Sequence, residues 1–388
     1  MRRRLETGQV IIEPKRENYL FVASVDDLPA ASGGEHLLPA DTLVEISGTV
    51  DLGEGALRLS SGTAIVGRNI SADTIQSSAD GVIRSDNVES NVILREFNIL
   101  PTGGRALDLT GSIDYQLNIF YVGLLGVSVG TITGFDVQAV KSCFVSAASG
   151  LTLDGTTNKI FIDGTPFFEI SGAAITLAAT LVCSVADIRG SFFKFDSPGI
   201  GVKAESGYSV SSGIYTINLI DGTAVPLEGM SPSDTNWKMT DNTGVRDSRV
   251  AGQLSLDAPA TTTISDVDTP TKVDGATSMA ALTERLDGST VDNRLQYTGT
   301  EPALVSVQTA VSVEGGNNIT GQVMIAKNGE VIAESRGQFK VGTGDAQVSA
   351  ATFAVVEMET GDYIETWIEN QSNTSDFTLN SMSLVGRA

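Results

Sequence analysis

Histidine is almost absent from this chain of 388 residues, in which His36 is the sole example. Zinc clusters need several imidazole or thiolate ligands, and Ser-His-Asp or Cys-His sites need a histidine beside the nucleophile. Most hydrolase chemistry is therefore excluded unless His36 serves. That residue lies in the turn-rich segment GGEHLLPADT, which predicts a histidine at the surface.

Cysteine is nearly as scarce. Cys143 and Cys183 stand in the apolar contexts SCFV and LVCSV, without neighbouring metal ligands, and this predicts two free, buried thiols. The acidic turns at 241–242 and 266–268 lack the glycine and glutamate spacing of a calcium loop. We therefore expect no metal site and no cofactor.

Long apolar runs and basic residues are also missing. No window of about 20 apolar residues occurs, and residues 1–20 contain no apolar signal core, so neither a membrane span nor an export signal is predicted. With 25 basic and 47 acidic residues, the net charge of −22 disfavours nucleic acid and anionic membranes as partners. The basic spot Arg2-Arg3-Arg4, with Lys15-Arg16 nearby, is either a solvated chain start or an arm that docks onto an acidic protein.

Short apolar runs separated by Ser, Thr, Asn, Asp and Gly fill the chain and predict an all-β protein. We divide it into an N-terminal region (1–56), a repetitive region with its cap (57–250), a linker (251–289) and an alternating region (290–388). Short helices are predicted around Ser24–Ala31 and Ser278–Leu286.

The middle region contains an internal repeat. Its equivalent positions are spaced by 22, 22, 24 and 25 residues and are Leu107, Val129, Leu151, Ile175 and Ile200. Such a period with apolar alternation is typical of a right-handed parallel β-helix, and the fixed Leu and Asn pattern of leucine-rich repeats is absent. Residues 57–205 would form about six or seven coils.

Two neighbouring repeats match closely, since IDGTPFFEI (162–170) returns as IRGSFFKF (188–195) with one residue dropped. This alignment stacks Asp163 on Arg189 and Glu169 on Lys194. Opposite charges on adjacent strands stabilise a sheet by about 0.2–1 kcal/mol per pair. We therefore interpret these four residues as structural rungs of the predicted β-helix.

The C-terminal region alternates apolar and polar residues in runs such as ALVSVQTAVSVEG, GQVMIAKNG and GDYIETWIEN. Asn328-Gly329 is a strong signal for a two-residue hairpin. Seven or eight strands at this spacing predict a β-sandwich. In YIETWIEN the side chains are predicted to point alternately inward and outward. Trp367 is therefore assigned either to the core or to a seam between subunits.

Several segments resemble bacteriophage virion proteins. RLQYTGTEPALVSVQTAVSVEGGNN with GDYIETWIENQSN resembles the C-terminal jelly roll of phage structural proteins, similar to the tumour-necrosis-factor fold, and NTGVRDS resembles the linker that precedes it. FVASVDDLPA and VEISGTVDLGEGALRLSSGTAIVG resemble the opening of β-helical tail proteins of podovirus-like phages. The resemblance covers most of the chain and brings no fixed active-site motif.

The resemblance implies a homotrimeric tailspike or tail fibre of the virion, assembled in the host cytoplasm and released by lysis. Residues 1–56 would bind the tail or an adaptor protein, the β-helix would form a shaft, and 290–388 would trimerise and contact the host. The partner outside the virion would be a host-surface glycan or receptor. No catalytic residue is assigned.

Aromatic side chains are the candidates for glycan contact, because flat rings bury a large area at low entropy cost. Both tryptophans, Trp237 and Trp367, lie outside the predicted coils, which leaves Tyr115, Tyr121 and Tyr208 as candidate receptor-binding residues. Two alternatives stay open. One is a polysaccharide depolymerase, which needs a pair of carboxylates, and the other is a decoration fibre attached to the capsid.

Overall fold

The computed structural model describes residues 18–388 except 196–198, 222–224, 233, 246, 281–282, 290–292, 300–301 and 345. The basic spot at 2–4 and 15–16 lies outside the described residues. The chain forms two compact units, which divide between Asp247 and Ser248. No helix in the described part is long and apolar enough to cross a membrane.

The first unit is built of short strands and one 3-10 turn at Val25–Asp27. Its strands are β1 (Asn18–Val22), β2 (Glu35–Leu37), β3 (Thr42–Ile46), β4 (Thr49–Asp51), β5 (Ala56–Arg58), β6 (Ala64–Gly67), β7 (Thr74–Ser77), β8 (Ile83–Val88), β9 (Val92–Arg95), β10 (Asn98–Pro101), β11 (Arg105–Gly111), β12 (Gln116–Phe120), β13 (Gly123–Thr133), β14 (Val137–Lys141), β15 (Phe144–Asp154), β16 (Thr156–Asp163), β17 (Pro166–Phe168), β18 (Ala173–Leu177), β19 (Val182–Arg189), β20 (Phe192–Lys194), β21 (Ile200–Ala204), β22 (Ser209–Thr216), β23 (Leu219–Asp221), β24 (Val225–Glu228) and β25 (Trp237–Thr240).

These strands wind into a parallel β-solenoid with three faces. The first face contains the ten strands β1-β3-β6-β9-β12-β14-β16-β19-β22-β25, which gives about nine turns. The second face runs from β2 through β5, β8 and β11 to β24, and the third runs from β4 through β7 and β10 to β23. The long strands β13 and β15 pass from the third face into the second.

Alternation along each strand creates the solenoid core. In LTLDG, Leu151 and Leu153 point inward and are buried, while Thr152 between them points outward. Equivalent positions one coil apart stack, so like residues meet inside. Phe167 and Phe193 are both fully buried, with ring centroids 5.2 Å apart. Burial of such apolar columns is the main stabilising contribution.

A stack of left-handed corners joins the first face to the third. One residue per coil has a positive φ there, and these residues are Glu96, Tyr121, Ser142, Gly164, Gly190, Ile217 and Asp241. The corner N–H donates to a carbonyl of the next coil, as Tyr121 does to Lys141 at 3.2 Å. The chain therefore turns at the same height in successive coils.

The predicted repeat is correct in kind and partly correct in register. Leu151 pairs with Ile175 as predicted. Leu107 pairs with Gly130, one residue beyond the predicted partner, and Ile175 pairs with Val202, two residues beyond. Adjacent residues in these coils are both buried, so apolar similarity alone does not separate one register from the next.

The register of one of the two predicted charge rungs is confirmed, since Asp163 pairs with Arg189 on adjacent coils, but the guanidinium of Arg189 forms its ion pair with Asp187 of its own strand. The rung of Glu169 on Lys194 is wrong. β17 pairs with β20 without the predicted one-residue gap, because Phe167 stacks on the equivalent ring of the next coil. Glu169 instead accepts a hydrogen bond from the Ser146 hydroxyl.

The N-terminal region differs from the predicted separate segment, because its described part already belongs to the solenoid. β1 pairs with β3, β2 with β5 and β4 with β7, all in parallel. The short helix predicted at Ser24–Ala31 is reduced to the three-residue turn at Val25–Asp27. Asp27 holds this turn, because its carboxylate accepts the N–H of Ser24 at 2.9 Å.

The second unit is antiparallel and contains a second 3-10 turn at Ala333–Ser335. Its strands are β26 (Ala251–Leu256), β27 (Ala260–Thr262), β28 (Thr271–Lys272), β29 (Thr277–Met279), β30 (Leu286–Ser289), β31 (Arg294–Tyr297), β32 (Ala303–Glu314), β33 (Thr320–Lys327), β34 (Glu330–Val331), β35 (Gly337–Lys340), β36 (Val348–Met358), β37 (Tyr363–Asn370) and β38 (Phe377–Arg387).

Two sheets form this unit. Sheet one has the order β29-β26-β38-β32-β36, and sheet two has the order β30-β31-β37-β33-β34, with β35 paired to β33. Both sheets contribute to each of two buried core clusters, with Val305 of β32 and Ile364 of β37 in one and Val311 of β32 and Ile368 of β37 in the other. The predicted hairpin at Asn328-Gly329 is present between β33 and β34.

Residues 251–289 are not the predicted linker, since they supply β26 to β30 to the two sheets. The helix predicted at Ser278–Leu286 is also wrong, because β29 lies at its start and β30 begins at its end. β26 and β29 pair with each other, which satisfies backbone groups that a helix would have satisfied internally. Trp367 is half-buried on β37 and donates its indole N–H to Glu365 at 3.1 Å.

Candidate functional site

A groove of about 410 Å³ crosses five coils on the second face of the solenoid. We call it the hydroxyl groove. It is lined by Arg105, Ser128, Gly130, Thr131, Ser149, Gly150, Thr152, Gly172, Ala173, Thr176, Ile200, Lys203 and Glu205. Five coils at the usual strand spacing make it about 19 Å long.

Two columns of small side chains form the groove. Thr131, Thr152 and Thr176 are paired from coil to coil, and their hydroxyl groups point outward in one column. Ser128 and Ser149 are paired in the other column. Small side chains leave the surface concave, and the hydroxyl groups offer both hydrogen-bond donors and acceptors along it.

Glycine is required in the floor of the groove because neighbouring coils approach closely there. Gly130 has φ +107°, and a Cβ atom built on it would lie 1.9 Å from the carbonyl oxygen of Leu107. A Cβ atom on Gly150 would lie 2.0 Å from the carbonyl oxygen of Ala174. Gly172 also lines the groove but has open space around it.

Ion pairs close both ends of the groove. At one end Arg105 contacts Asp80 at 2.9 Å and Asp108 at 3.2 Å, and its hydrogen bonds hold the pKa of the Asp80 carboxyl below its usual value. At the other end Lys203 lies 3.7 Å from Glu228. The cations are thus matched by carboxylates, and the centre of the groove is neutral and polar.

The described residues at the centre of the groove present hydroxyl groups and no carboxylate. A glycosidase needs two carboxyl groups about 5–5.5 Å or 6.5–9.5 Å apart across the scissile bond. Among the described residues that line the groove, Glu205 alone has a carboxylate, and it accepts the N–H of Ala179 at 3.3 Å. The neutral hydroxyl columns suit a ligand that itself presents many hydroxyl groups.

None of the three predicted receptor-binding tyrosines lines the groove. Tyr121 is 53% exposed at a left-handed corner between the first and third faces. Tyr115 is half-buried in the turn before β12, where its carbonyl accepts the N–H of Asp136. Tyr208 is half-buried against the solenoid core, and burial raises the pKa of its phenol. Their roles in binding stay predictions.

Sequence reasoning missed the hydroxyl groove because it searched for aromatic and acidic side chains. The available signal was the recurrence of threonine between two apolar residues in GTIT, GLTL and AAITL, at Thr131, Thr152 and Thr176. Outward threonines that recur once per coil indicate a groove only when the register between the coils is already known.

His36 is buried rather than at the surface as predicted, with 8% of its area exposed. Its Nδ1 lies 2.8 Å from the carbonyl oxygen of Pro29, which can only accept, so Nδ1 donates its proton there. This bond ties the imidazole to the turn before β2. His36 is therefore held in a structural contact.

Both cysteines are free and buried as predicted. Burial raises the pKa of the Cys143 thiol to about 12 and that of Cys183 to about 11, from an ordinary value of 9.0. We expect neither thiol to react with Ellman's reagent at pH 8 until urea unfolds the chain. Rapid labelling of the folded protein would contradict the buried positions.

The same shifts predict a loss of stability at high pH. Because the unfolded thiols ionise first, their stabilising contribution is complete below pH 9 and is lost as pH rises toward 11 to 12. The urea midpoint should therefore fall across this range. The matched control is the double variant Cys143→Ala with Cys183→Ala, in which the part of the decrease due to the thiols should vanish.

Comparison with known proteins found weak structural similarities only. No family model and no curated protein matches the sequence. Eiger TNF from S. frugiperda is 11% identical over 36% of this chain and 92% of its own, with a TM-score of 0.27. Murine APRIL is 12% identical over 36% of this chain and 99% of its own, with a TM-score of 0.27. The enzymatically active domain of bacteriophage CBA120 tailspike protein 4 is 11% identical over 88% of this chain and 64% of its own, with a TM-score of 0.25. At these TM-scores the function has to be inferred from the geometry of the chain itself.

Proposed function

We propose that this protein is a tailspike or tail fibre of a bacteriophage virion that binds a host-surface glycan in the hydroxyl groove without cleaving it. The observation that carries the proposal is the column of Thr131, Thr152 and Thr176 on three adjacent coils, with the paired Ser128 and Ser149 beside it. A glycan presents hydroxyl groups at regular intervals, and these columns meet them with donors and acceptors in series. The neutral centre of the groove favours a neutral segment of the glycan.

The solenoid supports this role because it holds the groove rigidly. The columns lie on paired strands whose inner faces are fully buried, so the hydroxyl positions are fixed before the ligand arrives. Pre-organised groups lose little entropy on binding. We assign the right-handed coil to the solenoid, as parallel crossovers prefer, and virion attachment to the N-terminal region through residue 56.

We further propose that the protein is a homotrimer that assembles through the second unit. The strand orders β26-β38-β32-β36 and β31-β37-β33-β35 support the assignment of this unit as a jelly roll. The outer face of sheet one exposes large apolar side chains, namely Phe353 at 74%, Leu304 at 67% and Val355 at 62%. Closed threefold packing would hide this face from water.

The glycan proposal is tested with a panel of purified bacterial surface polysaccharides and the full chain. Thr152→Arg places a long charged side chain in the middle of the groove, so the affinity of the polysaccharide that binds the wild type should fall at least about tenfold. Thr156→Arg is the matched control, because Thr156 is exposed on the first face and does not line the groove. Its affinity should equal that of the wild type.

Three outcomes would contradict the proposal. Equal affinity of the two arginine variants for the polysaccharide would mean that the polysaccharide does not bind in the groove. Release of oligosaccharides by the wild type would show that the protein is a depolymerase, which is the alternative that needs a second carboxylate. Antibody labelling of the heads of intact virions rather than the tails would favour a decoration fibre.

A further inference from the structure

An apolar strip runs along the third face of the solenoid, away from the residues that line the groove. It consists of Tyr121, Phe144, Phe168, Phe192, Ile217 and Leu219. Four of these side chains are exposed by 44% to 60%, and Phe168 and Phe192 are half-buried. Soluble surfaces rarely leave contiguous apolar residues of this size uncovered.

The strip is continuous from coil to coil. The ring of Phe144 lies 5.2 Å from that of Phe168, which lies 5.8 Å from that of Phe192. Phe192 is paired in turn with Leu219. The ring contacts and the pairing therefore join Phe144, Phe168, Phe192 and Leu219 over four consecutive coils, about 14 Å at the usual strand spacing, and Tyr121 and Ile217 lie at corners beside them.

Charge is absent from the centre of the strip. The outward residues of β17 and of the third-face parts of β13 and β15 are Leu125, Phe144, Ser146, Pro166 and Phe168. Charged side chains of the described third face begin at the edge of the strip, where Glu169 follows Phe168, Lys194 is next in register with Phe168 on the following coil, and Asp221 is paired with Lys194. Each chain has a net charge of −22, so close contact between two copies is opposed least where carboxylates are missing.

We propose that the apolar strip is the contact between the solenoids of neighbouring subunits, so that a second copy of this chain covers it. The proposal rests on the homotrimer proposed above and extends it from the second unit to the solenoid. Flat rings can stack on a sugar, but a glycan is the poorer occupant, because sugar hydroxyls covered by the strip would lose water and find a hydrogen-bonding group only on Tyr121. Around a threefold axis the strip of each chain contacts the same strip of the other two chains. Apolar side chains can pack against copies of themselves without charge repulsion.

Cysteine cross-linking of the full chain tests this contact. Leu219→Cys and Tyr121→Cys place one reactive thiol at each end of the strip, since Leu219 is 52% and Tyr121 is 53% exposed. The native thiols of Cys143 and Cys183 are buried and leave the background low. A short bismaleimide at micromolar protein concentration should link two chains in each variant, giving a covalent dimer on a denaturing gel.

The matched control is Thr156→Cys, which places an exposed thiol on the first face and should give at least tenfold less covalent dimer. Dimer yields that are equal in all three variants would report random collisions and overturn the inference. Absence of cross-linking in a protein that keeps a trimeric mass would also overturn it, while the homotrimer would stand. If the wild type has the mass of a monomer, both the proposed homotrimer and this contact are wrong.

Discussion

Replacing Gly130 with alanine should destabilise the solenoid by more than about 3 kcal/mol, enough to prevent much of the chain from folding. The residue has φ +107°, a region that is nearly restricted to glycine. The added methyl group would also lie 1.9 Å from the carbonyl oxygen of Leu107 on the adjacent coil. Relief of that overlap requires the two coils to separate.

Gly172→Ala is the matched control, because Gly172 lines the same groove, has no positive φ and has open space where the Cβ atom would stand. The free energy of unfolding of this variant, obtained from its urea midpoint, should lie within about 0.5 kcal/mol of the wild-type value. Unfolding can be followed through Trp237, which is fully buried in the solenoid. Similar midpoints for the two variants would mean that the coils do not stack in the register described.

The second large effect concerns assembly. Phe353→Asp should convert the proposed trimer, with a mass of about three times 40.5 kDa, into a monomer. Phe353 is 74% exposed on sheet one, and a carboxylate placed at this position in the proposed seam would be desolvated without a partner. Multi-angle light scattering after size-exclusion chromatography measures the mass directly.

Val267→Asp is the control for this substitution, because Val267 is also an exposed apolar residue of the second unit but lies in a turn, outside sheet one. It should leave the mass unchanged. The thermal stability of the single folded chain should change little in either variant, because neither side chain belongs to a core cluster. A trimeric Phe353→Asp protein would exclude sheet one as the seam.

The architecture was largely predictable from the sequence, because alternation and the coil period are local properties of the chain. Leu151 over Ile175 and Asp163 over Arg189 follow directly from that period. Register failed where neighbouring residues are equally apolar, as at Gly130, and the predicted helix at 278–286 failed because pairing between β26 and β29 outweighs local propensity.

The candidate site was less predictable than the fold. A groove arises from the absence of side-chain volume at stacked positions, and serine and threonine are common enough that no single residue marks it. The burial of His36 was missed for a related reason, because a turn-rich sequence does not reveal that an adjacent coil covers it. Tertiary stacking decides both features.

The most direct test of glycan binding in the hydroxyl groove is hydrogen–deuterium exchange of the full chain with and without a bound polysaccharide. Peptides that contain Thr131, Thr152 and Thr176 should exchange more slowly when the polysaccharide is present, and first-face peptides from β19 and β22 should not change. Protection confined to the first face or to the second unit would contradict the account.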